Sequence, residues 1–287
     1  MIRALILLLL LAHPARAIEF FGYAGVMCDV DDPLDASDIS DYSAEVAGFT
    51  NANQVCLPAD PAQWADRISR ANAQFRPVLS VEGAFDFSGA GPDGATARAV
   101  WAFLAAAVAD SDVDPARIIF YLVDEPTLRG IPAQTVDRAA AIIRRDFPTA
   151  EVLLVEACSL SGPPPIAPHL TLWGVDCYAL SGPAAAQIFA TYLDLAQARM
   201  GPGQRLVLVM DANHTPVHAA AGMDLSDMAG VARAYADMAL NRPGVAGMLG
   251  YTWVGGLDNP DERGVRDMPQ SVIAAHREVG RLLLGLQ

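Results

Sequence analysis

The chain has 287 residues, of which 53% are hydrophobic and 18% charged, so it can bury a sizeable core and is not a disordered chain. It contains 19 arginines and no lysine, which excludes mechanisms that need a lysine, such as Schiff-base chemistry and the phosphate-binding lysine of nucleotide loops. The formal net charge of −14 argues against nucleic acid or an anionic membrane as a partner, because both need a basic surface.

The first 17 residues have the pattern of a secretory signal peptide. One arginine precedes an apolar run from Ala4 to Ala12, and a small-residue cleavage site follows at Ala15-Arg16-Ala17. The run is about half of the ~20 residues that a membrane span requires, and a short membrane anchor is the alternative. We predict a signal peptide over residues 1–17, a mature domain over residues 18–287, no membrane contact after cleavage, and a secreted or periplasmic location.

Eight short apolar runs alternate along the mature chain with amphipathic segments. Continuous apolar runs are typical of strands that are buried on both faces of a parallel sheet, and strands that alternate with helices form right-handed βαβ units. The predicted strands are Phe20–Val26, Gln54–Leu57, Pro77–Val81, Arg117–Val123, Glu151–Val155, Leu170–Val175, Arg205–Met210 and Val245–Trp253. The predicted helices are Pro61–Gln74, Gly94–Ala109, Pro132–Phe147, Pro183–Met200, Leu225–Leu240 and Pro269–Leu286.

Eight strands in a chain of this length predict an α/β fold, a (β/α)8 TIM barrel formed by one domain. Two crossovers are expected to hold reduced helices. The first, from Asp29 to Ala47, begins with an acidic loop, and the fifth, from Cys158 to His169, contains Ser-Gly-Pro-Pro-Pro. A doubly wound open sheet is the alternative, but no G-x-G-x-x-G sequence follows any predicted strand.

Six of the eight predicted strands end in an acidic residue. Active sites of TIM barrels lie at the carboxyl ends of the strands, so these acids are expected at one mouth. Arg129 is the only basic residue close to these strand ends in sequence, which argues against a ring of structural salt bridges; solvated loop caps are the alternative. The acids concerned are Asp29, Glu82, Asp124 with Glu125, Glu156, Asp176 and Asp211.

An acidic mouth that also carries aromatic residues suits a neutral, polyhydroxylated ligand. Carboxylates accept hydrogen bonds from sugar hydroxyls, and tyrosine or tryptophan rings stack on sugars. Hydrolysis of a glycosidic bond needs two carboxyl groups around that bond, one protonated and one ionised. The ends of strands 4 and 7 lie opposite each other across an eight-stranded barrel, so Glu125 and Asp211 could flank a sugar.

Three segments resemble the clan-A glycoside hydrolases. Phe120–Pro126 (FYLVDEP) is similar to their strand-4 signature, whose usual form is Asn-Glu-Pro; Trp173–Tyr178 is similar to their strand-6 segment; and Tyr251-Thr252-Trp253 resembles the strand-8 segment whose tryptophan floors the sugar site. The resemblance implies hydrolysis of O-glycosidic bonds in a poly- or oligosaccharide without a cofactor or metal. It implies that Glu125 is the general acid/base and Asp211 the second carboxylate. Substrate-binding roles are predicted for Asp124, Asp176, Tyr178, Asn213, Trp253, Glu82 and Glu156.

The chain departs from the clan pattern at two positions. Asp124 stands where the clan has asparagine, and Asp211 stands where it has a glutamate nucleophile. The shorter Asp211 could widen the gap between the carboxyls from the ~5–5.5 Å of retaining enzymes toward the ~6.5–9.5 Å of inverting ones. Glu156 or Asp176 as the second carboxylate stays open. Also open are a non-catalytic carbohydrate-binding barrel and a metal-dependent sugar isomerase or hydrolase that uses Glu156, Asp211 and His214.

Four cysteines in an exported chain favour disulfide bonds. Cys28 and Cys56 close strands 1 and 2, and Cys158 and Cys177 close strands 5 and 6. Adjacent strands lie ~4.8 Å apart, which fits the ~4.4–6.8 Å Cα separation of a disulfide, and the other pairings would cross the barrel mouth. We therefore predict Cys28–Cys56 and Cys158–Cys177, with four free buried thiols as the alternative.

Overall fold

Eight parallel strands form one sheet that curls into a barrel, which confirms the predicted (β/α)8 fold. The computed structural model describes residues 17–36, 38–159, 161–179 and 182–286, so the predicted signal peptide, apart from Ala17, lies outside the described residues. The hydrogen-bonded order is β1-β8-β7-β6-β5-β4-β3-β2. The strands are β1 Phe20–Tyr23, β2 Ala52–Val55, β3 Arg76–Ser80, β4 Ile119–Asp124, β5 Glu151–Ala157, β6 Leu172–Asp176, β7 Arg205–Asp211 and β8 Val245–Tyr251.

Helices connect the strands and cover the outside of the barrel. As predicted, the described part of the first crossover holds only a four-residue helix, and that of the fifth crossover, between β5 and β6, holds none. The helices are α1 Ser43–Val46, α2 Trp64–Asn72, α3 Ala95–Asp110, α4 Ala133–Asp146, α5 Gly182–Arg199, α6 Pro216–Ala220, α7 Met228–Asn241 and α8 Gln270–Leu284. Within the described ranges, no helix combines the length and apolar character needed to cross a bilayer.

The strands bury side chains on both faces, as their continuous apolar runs predict. One face fills the barrel interior, where Phe20, Ile119, Leu172 and Val207 belong to a single apolar cluster. The other face packs against the helices in a larger cluster. Polar groups can therefore be exposed only where the strands end, which concentrates the chemistry of the barrel at its mouths.

The seam between β1 and β2 is closed by side-chain amides as well as by backbone. The backbone N–H groups of Phe21 and Tyr23 donate to the Oδ1 atoms of Asn51 and Asn53, at 2.8 and 3.0 Å. This close approach requires a glycine at position 22, because a Cβ there would lie 1.2 Å from the carbonyl oxygen of Ala52. Asn51, Asn53 and Gly22 therefore determine how β1 and β2 meet at the seam.

Both predicted disulfides are confirmed. Cys28 pairs with Cys56 at a Cα–Cα distance of 4.4 Å, and Cys158 pairs with Cys177 at 5.3 Å. Each bond joins the ends of neighbouring strands across a crossover whose helix is reduced. The two bonds therefore support the wall where helices support it least, and they are compatible with an extracellular protein.

Gly22→Ala should destabilise the protein by more than about 3 kcal/mol, because the new methyl group overlaps backbone that cannot move without opening the seam. The matched control is Gly230→Ala in α7, where a Cβ meets nothing within 4 Å and alanine favours the helix by about 0.5–1 kcal/mol. Urea unfolding of both variants measures the difference. Equal stability of the two variants would contradict the seam geometry.

Candidate active site

A cavity of about 340 Å³ opens at the centre of the barrel mouth where the strands end. Its floor is aliphatic and continues the barrel interior, with Val78, Val155, Val209 and Leu249 among its lining residues. Its walls are polar and strongly acidic. The polar side chains that line it are Gln54, Ser80, Glu82, Tyr121, Asp124, Glu125, Asp176, Tyr178, Tyr251 and Asp258.

The end of β4 delivers two adjacent acids to this cavity. A register shift between Tyr121 and Val123 bulges the strand, and such bulges re-aim the side chains that follow. Glu125 then takes a left-handed backbone conformation with φ +43°, while its N–H donates to the carbonyl oxygen of Val155 at 2.8 Å. A non-glycine residue in this region costs on the order of 1–3 kcal/mol and often marks a functional position.

Asp124 is held by a tyrosine and surrounded by other acids. The hydroxyl of Tyr121 donates to its Oδ1 at 2.5 Å. The pKa of Asp124 is raised to about 6, mainly by burial and also by the charges of Glu125, Asp258 and Glu82, while the Tyr121 hydrogen bond lowers it. Asp124 therefore changes charge in the weakly acidic range.

Asp176, at the end of β6, lines the same cavity as Glu125. Its side chain is 4% exposed, and burial is the largest cause that raises its pKa well above the usual range. The charges of Glu125 and Asp124 and a hydrogen bond shared with the Glu125 carboxyl act in the same direction, while a hydrogen bond from Tyr178 opposes them. Neighbouring carboxyls in a buried site do not ionise readily together, so Asp176 retains its proton near neutral pH.

Glu82 and Arg129 form the rim of the cavity on the β3 side. Arg129 Nη2 lies 2.5 Å from Glu82 Oε1, and Arg129 Nη1 donates to the Asp124 carbonyl oxygen at 3.0 Å. Beyond this ion pair lies a second, wider groove of about 880 Å³, which Glu82 also lines together with Phe85 and Phe87. The rim therefore separates a deep acidic pocket from an adjoining open groove.

Asp211, predicted as the second carboxylate, does not line the cavity. It is 1% exposed and accepts hydrogen bonds from the Ala179 N–H at 2.8 Å and from His218 Nε2 at 3.1 Å. His218 is oriented by Thr215, whose N–H donates to His218 Nδ1 at 3.1 Å in the capping box of α6. Asp211 thus holds the backbone at Ala179, three residues after Asp176, and it fixes the end of β6 from outside the cavity.

Trp253 also lies outside the cavity. It is 1% exposed, its Nε1 donates to Glu45 at 2.7 Å, and its ring packs 5.2 Å from that of Tyr23. The aromatic side chain that β8 contributes to the cavity is Tyr251, whose ring lies 5.7 Å from that of Tyr178. Strand 8 therefore presents an aromatic group to the site two residues earlier than the resemblance implies.

Glu156 and Asn213 are likewise buried away from the cavity. Glu156 accepts a hydrogen bond from Thr127 Oγ1 at 2.7 Å, and burial raises its pKa. Asn213 donates to Glu262 Oε1 at 2.6 Å, and Glu262 in turn accepts from the Asp258 N–H at 3.2 Å. The structure therefore gathers Glu82, Asp124, Glu125, Asp176 and Tyr178 of the predicted site, while Asn213 supports the loop that carries Asp258.

The acidic loop that follows β1 has arginine partners, so the expectation that acids at strand ends lack them is wrong there. Asp29 pairs with Arg67 at 2.7 Å. Arg266 contacts Asp32, Asp35 and Glu45 at 2.7 to 3.1 Å. These bases come from distant parts of the chain, which sequence proximity could not reveal.

Several cavity residues were not predicted. Tyr121 lies in the middle of the predicted strand Arg117–Val123, and its side chain lines the cavity above the apolar barrel interior. Tyr251 closes β8, and its hydroxyl donates to Asp258 in the loop that follows. Gln54 and Ser80 bond to each other at 3.0 Å on β2 and β3. The sequence signal for such cavity residues is a polar or aromatic side chain near the carboxyl end of a strand, at a position that faces the barrel interior.

The residues proposed for a metal site are dispersed. His214 Nε2 bonds to the Met223 carbonyl oxygen at 3.0 Å, while Glu156 lies against Thr127. In the described part of the chain, no group of three His, Cys, Asp or Glu side chains is arranged to hold a metal ion. The residues present therefore do not fit a metal-dependent isomerase built on Glu156, Asp211 and His214.

The sequence matches no protein-family model and no curated protein, but its fold has many solved relatives. A β-glucuronidase from Bifidobacterium dentium superimposes with a TM-score of 0.60 at 13% identity, over 92% of this chain and 46% of the enzyme. Xylanase 10B from Thermotoga maritima gives 0.58 at 12% identity, over 94% and 97%. A GH128 exo-β-1,3-glucanase from Aureobasidium namibiae gives 0.52 at 8% identity, over 91% and 97%.

The chain has the fold of clan-A TIM-barrel glycoside hydrolases. It spans about half the length of the glucuronidase and nearly the whole xylanase. At these identities the likeness concerns the fold, and the chemistry must be argued from the cavity itself.

Asp176→Asn should stabilise the protein at alkaline pH. Because the folded state raises the pKa of Asp176, it binds this proton more tightly than the unfolded chain, and stability falls as the pH rises above about 4. Asparagine removes that cost, so we expect a gain of about 1–3 kcal/mol at pH 9, a few degrees in Tm, and none near pH 3.5.

The control for this experiment is Asp66→Asn, an exposed acid on α2 that pairs with Arg70. It should change stability by less than about 0.5 kcal/mol at either pH. Thermal unfolding across the pH range is the measurement. A destabilised Asp176→Asn at pH 9, or a gain independent of pH, would contradict the raised pKa.

Proposed function

We propose that the protein is a secreted glycoside hydrolase that cleaves glycosidic bonds of a poly- or oligosaccharide with two carboxyl groups at the barrel mouth. The observation that carries the proposal is that Glu125 and Asp176 line one cavity at the carboxyl ends of the strands, where the Glu125 carboxyl helps to raise the pKa of Asp176. A pair that shares one proton supplies one acid and one carboxylate, which is the combination that this hydrolysis requires.

Glu125 is assigned as general acid/base because it occupies the strand-4 position and its bulged, left-handed backbone aims it into the cavity. The burial of Asp211 favours Asp176 as the second carboxylate. Because the raised pKa of Asp176 leaves the proton on this residue in the free protein, that proton must pass to Glu125 before Asp176 can act as nucleophile or as base for water. A sugar that enters the cavity must separate the two carboxyls, since even retaining enzymes hold them ~5–5.5 Å apart. Asp211 is then a positioning residue for the β6 end.

An oligomeric substrate is supported by the groove beyond the Glu82–Arg129 rim. The acidic cavity has a volume of about 340 Å³, and the groove adds about 880 Å³ and the rings of Phe85 and Phe87. Tyr178 and Tyr251 supply aromatic faces inside the cavity. The fold neighbours named as xylanase and glucanase act on polysaccharides, which is consistent with this substrate class.

Secretion is supported by the leader-like residues 1–17 and by the two disulfide bonds. The strong negative charge is compatible with a soluble extracellular enzyme and argues against nucleic acid as a partner.

A non-catalytic carbohydrate-binding barrel is the second candidate, and one observation favours it. The acid at the end of β7, where the clan places its nucleophile, is engaged by Ala179 and His218 and does not line the cavity. Such a protein would bind sugars in the same cavity without releasing products.

Glu125→Gln should lower the rate of glycoside hydrolysis by about 10²–10⁴-fold, because it removes the proton donor while keeping the side chain's shape. Asp176→Asn should lose a comparable factor. The control is Glu278→Gln, an exposed residue of α8 paired with Arg233, which should retain the full rate. Release of reducing ends from a polysaccharide panel and from activated aryl glycosides is the measurement. An unchanged rate in Glu125→Gln contradicts the assignment, and sugar binding without turnover in the unaltered protein favours the second candidate.

A further inference from the structure

Carboxyl groups outnumber cationic side chains in the lining of the cavity. Five carboxyl groups line it, and among the described residues that line it, none is arginine, lysine or histidine. The nearest cation, Arg129, stands at the rim and is already engaged by Glu82 and by the Asp124 carbonyl oxygen. The five acids are Glu82, Asp124, Glu125, Asp176 and Asp258.

This excess is local. The acids of the loop that follows β1 are matched by Arg67 and Arg266, and Glu151 at the opposite end of the barrel is bound by Arg76 and Arg205. The chain therefore has arginines that neutralise buried acids elsewhere, yet it places none inside the cavity. A cation supplied by the ligand would complete the charge balance.

Two tyrosine hydroxyls of the cavity are engaged by its acids. Tyr121 donates to Asp124, and Tyr251 donates to Asp258. Asp176 keeps a buried oxygen, Oδ1, that has no hydrogen-bond donor among the described residues. Buried acceptors without donors are rare and costly, so a donor is expected from the ligand or from a shared proton.

We propose that the saccharide recognised in this cavity carries a protonated amine, that is, a 2-amino-2-deoxy sugar with a free amino group. The inference rests on the proposed carbohydrate-acting function and specifies its substrate class. An ammonium group brings one positive charge and three hydrogen-bond donors. Carboxylates are negatively charged and only accept hydrogen bonds, so the two groups are complementary. A neutral hydroxyl brings no charge, and a sugar acid would be repelled by the five carboxyls.

The charged groups that face the ligand make this preference depend on pH and salt. Asp124, with a pKa of about 6, gains its charge across the weakly acidic range, whereas an amine of ordinary pKa is still protonated near neutrality. The attraction between the ammonium group and the carboxylates should therefore be strongest at a pH between the pKa of Asp124 and the pKa of the amine. It should weaken as salt screens the interaction.

The test compares sugars that differ at one substituent. Glucosamine and galactosamine are titrated at about pH 6.5 against glucose, galactose and the two N-acetylated amino sugars, with ligand-observed NMR as the readout. We expect at least one free amino sugar to bind about tenfold more tightly than its neutral and acetylated counterparts. The preference should shrink at about 0.5 M NaCl. Equal or weaker binding of both amino sugars, or no binding of either, overturns the inference.

Asp124→Asn is the matched variant, since it removes one charge, keeps an acceptor for Tyr121 and restores the Asn-Glu-Pro form of the clan. It should reduce the amine-to-neutral affinity ratio about threefold or more, whereas Glu278→Gln on the distant surface of α8 should leave the ratio unchanged. A ratio that is unaltered in Asp124→Asn contradicts charge recognition in this cavity.

Hydrolysis assays on chitosan and on neutral polysaccharides separate this inference from the proposed function. Cleavage of a neutral polysaccharide without any preference for amines retains the hydrolase and overturns the amino-sugar inference. A preference for amino sugars without cleavage of any glycoside retains the inference and overturns the hydrolase. Cleavage of chitosan together with the binding preference supports both.

Discussion

Repulsion between carboxyl groups at the barrel mouth is the constraint on which the rest of the site depends. A closed parallel barrel directs the ends of all its strands to one opening, so acids from β3, β4 and β6 must meet there. The protein answers this repulsion with tyrosine hydroxyls, with one arginine at the rim and with protons retained on the acids. Burial, together with this repulsion, raises the pKa values of Asp124 and Asp176, which is the property that acid–base chemistry uses.

The surrounding structure holds these acids in one cavity at a cost in stability. The β4 bulge and the left-handed backbone of Glu125 turn its carboxyl into the cavity that Asp176 also lines. Asp211 and His218, buried behind β6, fix the backbone at Ala179. The disulfide between Cys158 and Cys177 joins the end of β6 to the end of the neighbouring strand β5. A site that opposes its own stability in this way is typical of functional positions.

Much of the fold followed from the sequence because burial on both faces leaves a plain pattern. The eight apolar runs, the weak first and fifth crossovers and both disulfide pairs depended on strand order and strand spacing alone. The glycine at position 22 shows the limit of such reasoning, since its role depends on a carbonyl group 30 residues away in the chain.

The candidate site was predicted only in part, because position at a strand end does not determine which way a side chain turns. Glu125 and Asp176 line the cavity, whereas Asp211 is hydrogen-bonded to His218 of the short helix α6. Helix α6 was not predicted from the sequence. Trp253 turned to the helix layer, where Glu45 accepts its indole hydrogen bond. Tyr121 was missed because an aromatic residue inside an apolar run has the same appearance whether it packs in the core or lines a cavity.

The central claim is that Glu125 and Asp176 together act on a bound saccharide. A crystal structure of Glu125→Gln soaked with an oligosaccharide that the unaltered protein binds tests this most directly. The account predicts a glycosidic bond positioned between residue 125 and the Asp176 carboxyl, with Asp211 still bonded to Ala179 and His218 and out of contact with the sugar. A sugar whose anomeric carbon contacts Asp211, or a sugar bound away from the cavity, would contradict it.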